Sequence, residues 1–374
     1  MWAWFKSPLV WILGVSGNDC VILDMAYGGL RRGVMRHHLL RTVVLVGLSI
    51  GLTVFFFRSA DLGTVIAEIG RARLDFIGAA FIAISMSFVV RTRRWQLLLT
   101  PLASVAFVSA ARSTAIGFAV TALLPGRLGE IVRPYLLARR EKLSSSATLA
   151  TVVVERFFDL FALVFFLGVF LLFFAGTLHE ADSEVLTSLE TGGLVAAAVA
   201  VVGLVIVVVS ARVPESISAG LGIVEKRIWG RTGTWVSLAI GRFLSGFSAA
   251  GELGLLLKTL AWSVLVWGFV ALSAWFTCLA FGISLPLSGS VLLTVLMALG
   301  VAVPTPGGVG GFHAVVQVGL TSLFAIQLDL AVGVALVLHA VAFGPVTIAG
   351  AIWMVRDGVS FSSAVGLVSS ERRN

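Results

Sequence analysis

Charged residues and cysteine are both scarce in this sequence, and each shortage excludes a class of protein. Only 12% of the 374 residues are Asp, Glu, Lys or Arg, whereas 58% are hydrophobic and the mean hydropathy is +1.03. A water-soluble domain carries about twice that charged fraction, so lipid must be the solvent for much of the surface. Cys20 and Cys278 show neither disulfide nor metal-ligand spacing, and we expect no metal and no cofactor.

Common catalytic motifs are missing as well. The chain has no Walker-type phosphate loop, no Asp-x-Asp motif, no His-Glu-x-x-His motif and no serine nucleophile elbow. These absences argue against ATP hydrolysis and against the common enzymes that act on lipids or sugars. We therefore expect a protein that is not an enzyme, with one alternative left open, in which Glu130 and Glu155 do acid–base work on a lipid.

The net charge of +8 arises from 27 Lys and Arg residues against 19 Asp and Glu residues. The basic residues cluster between apolar runs, as in cytoplasmic loops beside anionic lipid, and no separate basic domain points to nucleic acid. Residues 175–191 contain acidic residues but no Lys or Arg, which predicts the outer side. We expect a multi-pass protein of the inner (plasma) membrane with both termini in the cytoplasm.

The apolar runs predict an all-α, polytopic transmembrane bundle. We expect about six to eight spans, together with two re-entrant elements that are broken by proline and glycine. The clearest spans are residues 39–57, 76–90, 144–174, 192–210, 260–281 and 330–355.

One transmembrane domain should cover residues 39–356. Its halves, 39–210 and 259–356, are joined by an amphipathic cytoplasmic segment, 211–258, and residues 357–374 form a cytoplasmic tail. Residues 1–38 are an N-terminal extension without a clear signal-peptide cleavage site. This extension reflects either a mis-assigned start, with Met35 as the true first residue, or a loosely ordered segment.

Two stretches share the pattern Ala-x-Gly-x-Ala-Val followed by Pro-Gly-x-(Leu/Val)-Gly, which predicts an internal and possible inverted repeat of two broken helices. Proline ends a helix and glycine lets the backbone turn, so unpaired N–H and C=O groups become available to a ligand at depth. The same pattern also fits ordinary surface loops in a glycine-rich chain. The residues of the breaks are Pro125, Gly126 and Gly129 in the first half and Pro306, Gly307, Gly308 and Gly310 in the second.

Ionisable residues occur where a transmembrane span is predicted. Glu155, Arg156 and Asp159 adjoin on one helix within residues 144–174. Charge inside a span is costly and usually functional, although an overlong helix could also place a local ion pair at the interface. Arg112 is suited either to bidentate phosphate binding or to snorkelling. His313 is suited either to proton coupling or to a structural hydrogen bond.

Four sequence motifs carry a resemblance to a known family: Arg93-Arg94-Trp95, the run Leu124–Glu130 with Arg133, Glu155-Arg156-x-x-Asp159, and Pro306-Gly307-Gly308-Val309-Gly310. In this order they resemble the membrane region of lysylphosphatidylglycerol synthases, a family that includes stand-alone flippase-like proteins. The resemblance covers about Leu40 to Val355. It implies a lipid-translocating module, without the soluble aminoacyl-transferase domain of the full-length synthases.

We therefore expect a lipid flippase or translocase for an anionic phospholipid or a polyprenyl-linked lipid. The alternative is a non-catalytic membrane partner of an enzyme of lipid or cell-envelope biosynthesis. In the first case, the lipid head group would enter a polar groove near the two breaks. The predicted groove residues are Arg94, Arg112, Arg127, Glu130, Arg133, Glu155, Arg156 and Asp159.

Overall fold

The computed structural model describes residues 44, 47–123, 127–173, 187, 191–199, 201–202, 205, 253–303 and 305–357. These residues are helical or lie in short connections, and no strand occurs among them. The predicted extension 1–38, the tail from residue 358, Pro125, Gly126 and nearly all of the predicted linker 211–258 lie outside the described residues.

The helices are numbered here in chain order. Helices α1 to α7 are Gly47–Phe57, Leu62–Arg71, Leu74–Leu99, Phe107–Leu123, Gly129–Glu141, Ser145–Phe173 and residues 191–199. Helices α8 to α11 are Leu253–Ala280, Leu287–Ala302, Gly311–Phe324 and Leu328–Arg356, with a 3-10 turn at Pro306–Gly308 between α9 and α10.

Five helical stretches of the described residues are long and apolar enough to cross a membrane: α3, α6, α8, α11, and Pro306–Phe324, which contains α10. A sixth is added if α1 and α2, which meet at an angle of 81°, form one bent span. Helices α4 and α9 are apolar but only 17 and 16 residues long. The predicted all-α transmembrane bundle is confirmed, and the five or six candidate spans of the described residues are near the predicted six to eight.

Two groups of four helices share one plan, in which a hairpin of two short helices lies between two long helices. Helices α3 to α6 form the first group and α8 to α11 the second. The opening helices α3 and α8 are antiparallel, because Ser87 Oγ donates to Val266 O at 3.0 Å and Ser273 Oγ donates to Ala80 O at 3.0 Å. The two groups therefore form an inverted repeat.

Each hairpin begins and ends on the same side of the bundle, so it is re-entrant. At the base of the first hairpin, Ser109 near the start of α4 donates to Glu141 at the end of α5 across 2.5 Å. In the second, the start of α9 meets the end of α10, since a Cβ on Gly289 would lie 3.0 Å from the ring of Phe324.

A pair of glycines brings the two helices of each hairpin into backbone contact near its tip. A Cβ on Gly117 of α4 would lie 3.0 Å from the carbonyl oxygen of Gly129, the first residue of α5. A Cβ on Gly300 of α9 would lie 2.9 Å from the carbonyl oxygen of Gly311, the first residue of α10. Only a residue without a side chain fits these crossings, so the predicted sequence repeat has a shared packing role.

The tips of the two hairpins touch each other. A Cβ on Gly307 would lie 3.2 Å from Ala122 O, and Arg127 Nη2 donates to Val301 O at 3.0 Å. Loops at opposite membrane surfaces could not make these contacts, so the described parts of the breaks are not ordinary surface loops. The turn at the second tip uses positive φ angles at Gly307 (59°), Gly308 (73°) and Gly310 (86°), which glycine adopts without strain.

We predict that Gly350→Ala destabilises the protein, whereas Gly78→Ala in α3 does not. A Cβ on Gly350 would overlap the carbonyl of Ala115 and lie 2.8 Å from Ala119 Cβ, where α11 crosses α4. Gly78 has nothing within 4 Å of its added Cβ, so alanine there should be neutral or favourable by up to about 1 kcal/mol. Thermal unfolding in detergent measures both variants, and equal melting temperatures would contradict the close helix crossing.

Candidate functional site

Two carboxylates are buried on one face of α6. Glu155 and Asp159 are four residues apart, with side-chain exposures of 0% and 6%. The fully buried Arg94 of α3 reaches both of them, with Nη2 2.9 Å from Glu155 Oε1 and Nη1 2.6 Å from Asp159 Oδ1. Helices α3 and α6 are thus joined by a buried, charge-assisted bridge.

A second arginine binds Glu155 from the first hairpin. Arg133, on α5, places Nη2 2.5 Å from Glu155 Oε2 and Nη1 3.4 Å from Oε1, so the pair is bidentate. Its guanidinium carbon lies 4.0 Å from the centroid of the Trp95 ring, and Trp95 Nε1 donates to Thr151 Oγ1 on α6 at 3.0 Å. The hairpin is therefore held to α3 and α6 near its tip by charge and by aromatic stacking.

Helix α8, in the second half of the molecule, also binds these charged side chains. Trp267 Nε1 donates to Asp159 Oδ1 at 3.0 Å. Arg94 Nη1 donates to Ser263 Oγ at 2.7 Å, and Ser263 Oγ in turn donates to Thr259 O. These contacts place the ions where the long helices of both repeats meet.

One side of the cluster is more open. Arg156 is 40% exposed, with Nη2 2.7 Å from Glu155 Oε1 and 3.2 Å from Asp159 Oδ2. Arg91 is 11% exposed and lies farther from the same carboxylates, at 3.7 and 3.6 Å. Glu130, at the tip of the hairpin, lies 4.0 Å from Arg156 and 3.8 Å from Arg127.

The arginine cluster, as we call these eight residues, has more positive than negative groups. Within the described residues, five arginines share three carboxylates, which leaves an excess of two positive charges. Its arginines are Arg91, Arg94, Arg127, Arg133 and Arg156, and its carboxylates are Glu130, Glu155 and Asp159.

The structure brings together seven of the eight predicted groove residues, and Arg112 is the exception. Arg112 lies at the base of the first hairpin, where its Nη1 is 3.1 Å from Asp357 Oδ1 and its guanidinium carbon is 4.0 Å from the ring of Trp353. Arg140 binds the same carboxylate at 2.5 Å. Arg112 therefore links the hairpin base to the end of α11, away from the cluster near the tip.

Sequence reasoning missed Arg91, Ser263 and Trp267. Arg91 stands three residues before Arg94 and thus on the same helix face, which is the sequence signal that could have found it. Ser263 and Trp267 lie in a long run without charge. No local pattern distinguishes them from packing residues, because their role depends on which helix faces α8.

A pair of histidines, rather than a cluster of charged side chains, lies at the second break. The rings of His313 and His339 have centroids 4.5 Å apart. Gly310 N donates to His313 Nδ1 at 3.4 Å, and His339 Nε2 lies 2.9 Å from Gly307 O. His313 was predicted from its position after the break, whereas His339 was missed because it lies inside α11. Gly310 and Gly307 thus serve as backbone partners, as expected for a broken helix.

Comparison with known proteins agrees with the motifs. A family model described as the lysylphosphatidylglycerol synthase TM region matches residues 42–350. The chain belongs to this family. The match spans both repeats and confirms the resemblance drawn from the sequence motifs; no curated protein matches the chain. The protein is thus a multi-pass membrane protein of a family associated with lipid metabolism.

We predict that Glu155→Gln destabilises this family member far more than Glu130→Gln. Loss of the Glu155 charge leaves Arg94 and Arg133 buried without their shared partner, which costs about 3–5 kcal/mol when a buried ion pair is broken. Glu130 is 37% exposed and its ion pairs are 3.8 and 4.0 Å long, so its loss should cost less than about 1 kcal/mol.

Unfolding of the purified protein by denaturant in mixed micelles measures both free energies. Similar losses for the two variants would show that Glu155 is not the centre of the buried network.

Proposed function

We propose that the protein is a lipid translocase that carries an anionic head group through the arginine cluster while the acyl chains stay in the bilayer. The observation that carries this proposal is the excess of two positive charges in the arginine cluster, beside the tip of a re-entrant hairpin. Unpaired charge at such depth is costly, and guanidinium groups bind phosphate oxygens well. An anionic head group would offset that cost.

The open side of the cluster supports binding of a ligand rather than a purely structural role. The two innermost arginines, Arg94 and Arg133, already hold the carboxylates at short distance. Arg91, Arg127 and Arg156 have longer or more exposed contacts, so they are available to a phosphate. The core carboxylates are occupied by arginines, which suits charge balance better than acid–base chemistry on a substrate.

The two hairpins supply a route across the bilayer. They enter from opposite sides, since the repeats are inverted, and they touch where Arg127 donates to Val301 O. Rocking of one inverted repeat against the other would open the junction alternately to each side. Arg127 then belongs both to the cluster and to the contact that must break, and the histidine pair beside Gly307 is the place where a proton could couple to the motion.

We further propose that the protein resides in the inner (plasma) membrane with the hairpin base formed by Ser109 and Glu141 toward the cytoplasm. Arg139, Arg140, Lys142 and Arg356 lie at or near this end of the described helices. Positive residues on that side follow the usual bias of cytoplasmic loops.

Proteoliposomes containing the purified protein and a fluorescent phosphatidylglycerol or polyprenyl phosphate test the transport proposal. We expect dithionite quenching of the inner-leaflet lipid to accelerate over protein-free liposomes. Arg156→Gln and Arg127→Gln should each slow the protein-dependent quenching by about tenfold. This is the effect expected from losing roughly 1.4 kcal/mol of phosphate binding. Arg71→Gln, an exposed arginine of α2, is the matched control and should leave the rate unchanged.

If the folded protein transports neither lipid faster than empty liposomes do, the proposal is contradicted. Co-purification of the folded protein with a synthase would then favour the partner role instead.

A cross-link between the hairpin tips tests the motion. In a background of Cys20→Ser and Cys278→Ser, the variants Ala122→Cys and Val301→Cys are combined and joined by a short, reducible bis-methanethiosulfonate reagent. These residues lie at the two tips, which touch where Gly307 meets Ala122 O and where Arg127 donates to Val301 O. We expect the cross-linked protein to transport lipid no faster than empty liposomes and reduction of the cross-link to restore transport. Full transport by fully cross-linked protein would contradict separation of the tips.

A further inference from the structure

The charge of the arginine cluster indicates the valence of its ligand. A lipid phosphodiester such as phosphatidylglycerol carries one negative charge, so it would leave one of the two excess positive charges uncompensated. A phosphate monoester carries about −1.5 to −2 charges at neutral pH. Uncompensated charge within a membrane bundle is costly, so the monoester matches the cluster better.

Unused hydrogen-bond donors point in the same direction. Among the described residues, four buried N–H groups of the cluster have no hydrogen-bond acceptor: Nε of Arg94, Arg133 and Arg156, and Nη2 of Arg94. One buried acceptor of the cluster, Asp159 Oδ2, has no hydrogen-bond donor. The unused donors therefore outnumber the unused acceptors, and the donor of Arg156 belongs to an arginine on the open side. The ligand that fits such a surplus is rich in acceptor oxygens, and a terminal phosphate offers three where a diester offers two.

The surroundings of the open side suit the attached hydrocarbon. The guanidinium carbon of Arg91 lies 5.8 Å from the ring centroid of Trp267 and 5.9 Å from that of Phe118. These rings come from α8 and α4 and flank a loosely paired arginine with apolar surface. A phosphate bound at Arg91 would thus have aromatic walls beside its ester oxygen, where a lipid continues and a free phosphate ends.

We propose that the head group recognised by the arginine cluster is a dianionic phosphate monoester on a lipid, such as a phosphatidic acid or a polyprenyl phosphate, rather than a phosphodiester. This inference rests on the proposed transport function and narrows its substrate class. Arg94 and Arg133 hold the carboxylates in place, and Arg91, Arg127 and Arg156 receive the phosphate oxygens. Discrimination between the monoester and the phosphodiester comes from charge balance and does not need contacts to the rest of the lipid.

The test compares two lipids that differ by one charge. Phosphatidic acid and phosphatidylmethanol with the same fluorescent acyl chain are supplied at pH 7.5 to proteoliposomes of the full chain, and rates in empty liposomes are subtracted. We expect phosphatidic acid to move about tenfold faster or more, because one unbalanced charge at about 4 Å changes a rate by about fivefold in bulk water and by about a thousandfold at an effective dielectric constant near 20. Equal rates would overturn the inference and leave the proposed function standing, whereas no transport of any lipid would overturn both.

Two variants separate charge balance from folding. Arg91→Gln and Arg156→Gln each remove one excess charge, so the ratio of the two rates should fall towards unity even where both rates drop. Arg71→Gln should keep the wild-type ratio. An unchanged ratio in both folded cluster variants would overturn the inference, because a merely structural arginine alters the rates without altering the preference.

A third experiment distinguishes a phosphate on a lipid from a soluble phosphate. Inorganic phosphate and glycerol 1-phosphate at millimolar concentration are added as soluble competitors, and uptake of radiolabelled phosphate is measured. We expect weak competition and no uptake, because the soluble anions lack the hydrocarbon that the bilayer and the aromatic walls hold. Rapid uptake of radiolabelled phosphate would overturn the assignment to a lipid.

Discussion

The shared pairing of Glu155 with arginines from neighbouring segments is the interaction on which the rest of the structure depends. This carboxylate is completely buried and receives Arg94 from α3, Arg133 from the first hairpin and Arg156 from its own helix. An ionised group inside a membrane bundle survives only with partners of opposite charge. The position of the hairpin tip, the crossing of α3 and α6 and the exposure of the remaining arginines all follow from satisfying that charge.

The two repeats share an arrangement of helices but differ in the side chains that they bury. In the second repeat the buried face of α11 carries Ala335 and Leu338, which pack with Phe312 in an apolar cluster, where α6 carries its ions. The paired histidines His313 and His339 interrupt this apolar packing near the tip. In the proposed transport cycle, a repeat with one charged and one apolar half would combine a fixed binding element with a partner that slides against it, since apolar contacts lack the directional demands of ion pairs.

Local sequence patterns were sufficient to predict the helical bundle, the breaks at Pro306 and Gly129 and the common face of Glu155 and Asp159. They did not separate Arg94 from Arg112 as groove residues, because neither local sequence indicates which helix the guanidinium will face. Their different contacts depend on tertiary packing, which places Arg94 against α6 and Arg112 against Asp357. Trp267 was not predictable for the same reason, since only the crossing of α8 with α6 gives its indole a carboxylate partner.

The hairpin helices are short, and this has a consequence for the bilayer around them. Helices α4, α5, α9 and α10 contain 17, 13, 16 and 14 residues, so they are about 20–26 Å long against a hydrocarbon thickness of about 30 Å. Lipids beside such elements adjust by thinning and by drawing their polar groups inward. Where lipid contacts the hairpins, this mismatch would favour a thinner bilayer than beside the long helices α3, α6, α8 and α11, which contain 26 to 29 residues.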